Sequence, residues 1–244
     1  MNAHSFEKPT IVTPEAWLAA RRELLREEKE FTRLRDRLSA RRRELPWVKV
    51  GPEYVFEAPA GRVTLADLFE GRSQLVIYHF MFGPGWEEGC KGCSFVSDHL
   101  APAVAHLQAR DVSFAAVSRA PLAEFAPFQQ RMGWGFRWVS SHGSTFNHDY
   151  GVSFTPAELA RGKVEYNYGL REFPLEEAPG LSVFARGPGG EVYHTYSTYG
   201  RGLDLLIGAY NVLDLVPKGR DEDPETPMKW VRHHDRYTQE VAVG

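Results

Sequence analysis

Between positions 13 and 45 the chain is mostly charged, and the large apolar residues that interrupt it recur at a fixed interval: Trp17, Leu24, Phe31, Leu38 and Leu45, with Leu34 beside them. A seven-residue repeat with no Gly or Pro after Pro14 predicts one long helix, or two in succession, with a narrow apolar face. Thr13, Pro14 and Glu15 supply a cap residue, a proline at the first helical position and an early acid. An apolar stripe of this length is expected to lie against protein, either the chain's own main domain or a second subunit of a homodimer.

Past Pro46 the pattern changes to short β-prone runs. Tyr54-Val55-Phe56 and Arg62-Val63-Thr64-Leu65 flank Pro59-Ala60-Gly61 and read as a hairpin. The segment 75–82, Leu-Val-Ile-Tyr-His-Phe-Met-Phe, is apolar almost throughout, as expected of a strand buried on both faces of a sheet. A helical stripe follows at Leu100, Val104 and Leu107, then a second β-prone run at 112–117, which makes a βαβ unit. Further on the pattern predicts a helix over 121–131, a short strand at 136–140 and a hairpin whose strands (181–184 and 192–196) flank Gly187-Pro188-Gly189-Gly190. The last core helix is expected over 202–213. These shifts divide the chain into a helical arm (1–46), an α/β domain (47–216) and a C-terminal tail (217–244) packed on it.

Composition narrows the class of protein. Of 244 residues, 43% are hydrophobic, 13% aromatic and 25% charged, which excludes a disordered chain and gives a core that needs no disulfide staples. A net charge of −3 points to neither nucleic acid nor an anionic membrane. The arm holds ten basic residues against six acidic ones between Arg21 and Glu44, but the signs interleave, which suits i,i+4 pairing on a solvated face better than a phosphate-binding stripe. No apolar run reaches the ~18 residues of a membrane span, and the first ten residues have no secretory stretch, so a cytoplasmic location is expected.

Only two cysteines occur, Cys90 and Cys93, three apart. In a reducing compartment such a pair points to redox chemistry or to a metal before it points to a structural staple. A zinc site wants four ligands; with no second C-x-x-C the others would come from His79, His142, His148 or His194, no two of which have ligand spacing, so neither a metal nor a cofactor is expected.

The order of elements is similar to the thioredoxin superfamily in its peroxiredoxin-like branch: Gly61-Arg62-Val63-Thr64-Leu65 before the central strand, the cysteines after it, Val117-Ser118-Arg119-Ala120 ending the next strand, Asp149-Tyr150-Gly151-Val152, and a final hairpin. More closely, Tyr78-His79-Phe80-Met81-Phe82-Gly83-Pro84, Arg131-Met132-Gly133-Trp134 and His194-Thr195-Tyr196-Ser197-Thr198-Tyr199 resemble a bacterial thioredoxin-like family, domain of unknown function 899. The resemblance implies a thioredoxin-like α/β fold with a mixed central sheet flanked by helices and preceded by the arm. Together with the spacing, it implies a thiol–disulfide oxidoreductase in which Cys90, at a helix N-terminus beside Lys91, is the attacking thiolate and Cys93 the resolving thiol. A dithiol protein or a low-molecular-weight thiol would donate the electrons.

Pro179 stands where thioredoxin-like proteins carry a cis-proline facing the cysteines, the alternative being an ordinary trans loop proline. Trp86 is expected to cap the substrate pocket, and Arg119 either approaches the cysteines or forms a structural salt bridge. His79 is read as a hydrogen-bonded core histidine rather than a proton carrier for Cys90, and His233-His234-Asp235 as a surface helix. A thiol peroxidase is the alternative activity, although Glu87 stands where peroxiredoxins have a hydroxyl three residues before the cysteine, and Pro84 is six residues before Cys90 rather than seven. A non-enzymatic binding or metal-binding protein of the same fold is the third reading.

Overall fold

The computed structural model describes residues 9–237. Helix α1 (Pro14–Arg43) runs unbroken for 30 residues, about 45 Å at 1.5 Å per residue. Thr13 caps it by accepting a hydrogen bond from the Ala16 amide at 3.3 Å, and Arg41, Arg42 and Arg43 complement the negative end of its dipole. No residue of α1 is buried. The expectation that its stripe packs on the chain's own domain is therefore corrected: Trp17, Leu24, Phe31 and Leu38 all face solvent. Its tie to the sheet at the C-terminal end is the Arg42 guanidinium over the Tyr196 ring.

Short β1 (Val48–Lys49) precedes the hairpin of β2 (Val55–Ala58) and β3 (Gly61–Thr64). Strand β4 (Gln74–His79) is the apolar run, followed by α2 (Lys91–Leu100), α3 (Val104–Gln108) and β5 (Val112–Ser118). The helix read from Leu100, Val104 and Leu107 is in fact two, because Pro102 stands in a 3₁₀ turn between α2 and α3 and has no N–H to continue the ladder. Next come α4 (Leu122–Arg131), β6 (Arg137–Ser140), α5 (Phe146–Asp149) and α6 (Pro156–Leu159). A small separate hairpin, β7 (Val164–Tyr166) and β8 (Gly169–Arg171), turns through Asn167 and Tyr168, both at positive φ. Strands β9 (Gly180–Arg186) and β10 (Val192–Tyr199) form the last hairpin, and α7 (Gly208–Leu213) closes the series. The single helix expected over 202–213 is a 3₁₀ segment, Gly200–Leu206, and then α7, separated by Ile207 in an extended conformation.

Sheet order is β1-β10-β9-β4-β5-β6-β2-β3. Strand β4 is central: it pairs in parallel with β5 on one side and antiparallel with β9 on the other. The block β10-β9-β4-β5, with α2 crossing between the two parallel strands and an antiparallel hairpin beside them, is the thioredoxin-like arrangement; β6 and the β2–β3 hairpin extend it. Alternation along β4 sends Tyr78 to one face, among residues of α2, α4 and α7, while Leu75 and Ile77 go to the other, with Phe146 of α5.

The segment after α7 contains little regular structure. The residues read as a surface helix, His233-His234-Asp235, lie instead in a loop that ends in a 3₁₀ turn, His234–Arg236, and His233 is buried. Val231 joins the apolar cluster that holds Cys93, which draws this part of the tail onto the domain.

Candidate functional site

The apolar run that builds β4 ends in a loop whose conformation depends on small residues. Gly85 is at φ +79°, and a Cβ on Gly89 would stand 2.6 Å from Phe80 and 2.7 Å from Phe128. The loop delivers Cys90 to the N-cap of α2, where its amide donates to the Met81 carbonyl at 3.2 Å and its carbonyl accepts from the Ser94 amide at 2.9 Å. Cys93, one turn into the helix, is buried, and its Sγ accepts from the Met81 amide at 3.4 Å. Both cysteines are free thiols, and Cys90 is the more exposed.

Position makes the two thiols unequal. The Cys93 side chain, hydrogen-bonded to Cys90, lowers the Cys90 pKa to about 7 against the opposing effect of burial, with further help from the Cys93 and Gly92 amides and the Lys91 charge. Cys93 is pushed well above the ordinary thiol range, first by burial and then by the neighbouring Cys90. The pair is thus arranged to carry one negative charge, on the sulfur nearer to solvent.

A cleft of about 990 Å³ opens over the pair, with Tyr78, Cys90, Cys93, Pro179, Leu203 and Met228 among its walls. The tail forms one side: Glu222 accepts from the Tyr210 hydroxyl at 2.7 Å and the Met228 amide at 3.2 Å, and Met228 lies next to Gly92. Arg220 is held over the Tyr210 ring by Asp204 and Asp214. Among the described residues no group of three or more His, Cys, Asp or Glu is placed to hold a metal ion.

Of the residues singled out from the sequence, Cys90, Cys93 and Pro179 meet in this cleft. Pro179 is not cis, since no described peptide bond is; its carbonyl accepts from the Tyr166 hydroxyl at 2.7 Å. Trp86 and Arg119 are not among the cleft's lining residues. Trp86 packs beside the apolar cluster and crowds Gly83. Arg119 pairs with Glu176 at 2.9 Å and with buried Glu177, the structural salt bridge of its two readings. His79 lies on the face opposite the cysteines, stacked on Tyr150, with its Nε2 2.8 Å from the Ser182 hydroxyl. Burial takes its pKa down to about 3, so it stays neutral.

The sequence reading missed Tyr78, whose buried hydroxyl has no oxygen or nitrogen partner and turns toward Cys93. Alternation along β4 carried the signal, since the face opposite His79 is the one that α2 covers. Met228 was also missed, and His233 was read as part of a surface helix; both reach the cysteine loop from far along the chain.

A family described as "Bacterial protein of unknown function (DUF899)" matches residues 6–237. No curated protein matches the chain. Among solved structures, peroxidoxin BcpB from Mycobacterium tuberculosis is similar at 13% identity and a TM-score of 0.46, over 69% of this chain and 97% of that one. Xylella fastidiosa PrxQ, as a cysteine-to-serine mutant, gives 10% and 0.44 over 68% and 94%. A putative thiol:disulfide interchange protein DsbE from Chlorobium tepidum gives 15% and 0.42 over 68% and 97%.

Proposed function

The chain belongs to the bacterial family of unknown function 899, and we propose that it is a thiol–disulfide oxidoreductase working through Cys90 and Cys93. The observation that carries this reading is the inequality of the two thiols: one at a helix N-terminus with a pKa near neutrality and access to a cleft, the other buried and held protonated behind it. The Cys90 thiolate attacks one sulfur of a substrate disulfide. A mixed disulfide forms on Cys90, and the other substrate sulfur leaves as a thiolate and takes a proton from water. Cys93 then gives its proton to solvent and attacks Cys90 Sγ, leaving a Cys90–Cys93 disulfide and expelling the second substrate sulfur as a thiolate that takes a proton from water. Two electrons pass from the pair to the substrate. A dithiol protein or a low-molecular-weight thiol returns them by the same exchange in reverse.

Free cysteines counted against a graded redox buffer test the reading. Both thiols should disappear together, with a midpoint in the span of redox proteins, ~−120 to ~−270 mV. The Cys93→Ser variant should accumulate a mixed disulfide that Cys90→Ser does not. A pair that stays reduced throughout, or a Cys90 that hydrogen peroxide oxidises far faster than any disulfide does, would replace this reading, the latter with a peroxidase.

A further inference from the structure

Helix α1 carries its apolar residues without covering them. Trp17 and Phe31 are 59% and 61% exposed, and Leu18, Leu24, Leu25, Leu34 and Leu38 lie between 38% and 51%. With roughly 150–250 Å² for a large side chain, these seven leave on the order of 600 Å² of apolar surface on one helix. That is at the upper end of the largest patch on a typical monomer, ~300–600 Å². Two such surfaces facing each other would bury roughly 1,200 Å², enough for a stable interface.

We infer that α1 is a dimerisation arm that pairs antiparallel with α1 of a second copy of this chain. Three features of the helix choose the occupant and its direction. First, the apolar stripe repeats every seven residues, a period that drifts by ~20° per heptad around a straight helix and so suits two helices wound about each other. Second, the order of sizes is Trp17, Leu24, Phe31, Leu38. A twofold axis between positions 27 and 28 sets Trp17 opposite Leu38 and Leu24 opposite Phe31, so each aromatic ring meets a leucine; a parallel pair would stack each ring on its own copy. Third, the charges are unevenly spread. Residues 14–30 hold five acidic and four basic side chains, whereas residues 31–43 hold six arginines and one aspartate. Antiparallel pairing lays the arginine-rich half along the half that holds most of the glutamates, while parallel pairing would bring the two arginine-rich halves together. At the margin of the stripe Arg21 donates to Glu28 at 2.8 Å, an ion pair that closes within the helix and leaves the stripe itself apolar. A membrane surface is the less suitable occupant, because the polar face carries both signs.

The test uses the full chain. Sedimentation velocity over a range of concentrations should give a dimer for the wild type and a monomer for Leu24→Glu/Phe31→Glu. Because no residue of α1 is buried in the chain itself, that variant should keep the wild-type Cys90 alkylation rate and, at concentrations low enough for both proteins to be monomeric, the wild-type thermal melt. Direction is read from nitroxide labels placed at Ala19 or at Lys29 in a Cys90→Ser/Cys93→Ser background. Antiparallel arms separate the two Ala19 labels by about 25 Å along the axis and the two Lys29 labels by only ~5 Å, at 1.5 Å per residue. A wild type that sediments as a monomer throughout overturns the proposal, as does a variant that remains dimeric. A short Ala19 distance overturns the antiparallel arrangement, and a monomer that binds phosphatidylglycerol vesicles through the same stripe would reassign the arm to membranes.

Discussion

His233 and Gly89 are joined by a hydrogen bond of 2.9 Å between the imidazole Nε2 and the backbone carbonyl. Its direction follows from the other ring nitrogen: Nδ1 lies 3.1 Å from Arg131 Nη2, which can only donate, so Nδ1 accepts and Nε2 carries the hydrogen given to Gly89. The tail therefore holds the residue immediately before Cys90. His233→Ala leaves the buried Gly89 carbonyl without its partner, while Arg131 Nη2 keeps Asp235, at a cost of ~1–3 kcal/mol in denaturant unfolding. Alkylation of Cys90 at fixed pH should accelerate as the tail loosens. Unchanged stability and alkylation would mean that the tail does not hold the loop.

Alkylation of Cys90 should rise with pH to half its maximum at about 7, the pKa set first by the Cys93 side chain. A thiol that donates to a thiolate favours the charged form and lowers its pKa, so removing the donor moves the pKa up. Cys93→Ala should shift the midpoint toward that of a free thiol, ~8.5, and slow alkylation at pH 7 by about tenfold. A midpoint that stays in place would assign the shift to the helix N-terminus and Lys91 alone.

Tyr78→Phe separates fold from chemistry. The hydroxyl removed is buried without an oxygen or nitrogen partner, so stability should hold within ~1 kcal/mol or improve. The same hydroxyl is a donor toward Cys93 and favours its thiolate. Its loss should slow the release of a preformed mixed disulfide from Cys90, which needs the Cys93 thiolate, and leave Cys90 alkylation unaltered. Equal rates of release in the two proteins would exclude Tyr78 from that step.

Glu177 gives the fold a pH dependence of its own. Burial raises its pKa to about 6 despite the Ser153 hydroxyl and Arg119. A carboxyl that binds its proton more tightly when folded contributes stability that is fully present below the unfolded pKa and is lost as pH rises through the folded one. Between pH ~4.5 and ~6 the wild type should lose on the order of 2 kcal/mol from this group. Glu177→Gln should remove that slope, as followed by urea unfolding across the window, and an identical slope in the variant would place its origin elsewhere.

How far the sequence could be read depended on how local each signal was. Strand β4 and the cysteine pair are written in consecutive residues: a β-prone run, Gly83-Pro84-Gly85, and Cys90-Lys91-Gly92-Cys93. The strands around β4 were legible for the same reason. Strands β7 and β8, with three residues each, are too short for any period to register. Choosing between His79 and Tyr78 required knowing which face α2 covers, a property of the assembled sheet. The hold of His233 on Gly89 spans 144 positions, and no residue near either end announces it. The arm was legible as a helix with a stripe, but the stripe could not say what covers it.

The two ends of the sheet bear on how copies of this chain can meet. Its outermost strands are β1, with two residues, and β3, with four, and each carries a basic side chain, Lys49 or Arg62. Edges this short and charged offer little unpaired backbone to a foreign strand, which blocks growth of the sheet from one molecule into the next. Open-ended polymerisation through backbone pairing is thereby discouraged at both borders. Association is left to a side-chain surface on a helix, and a twofold contact of that kind closes on itself after two chains.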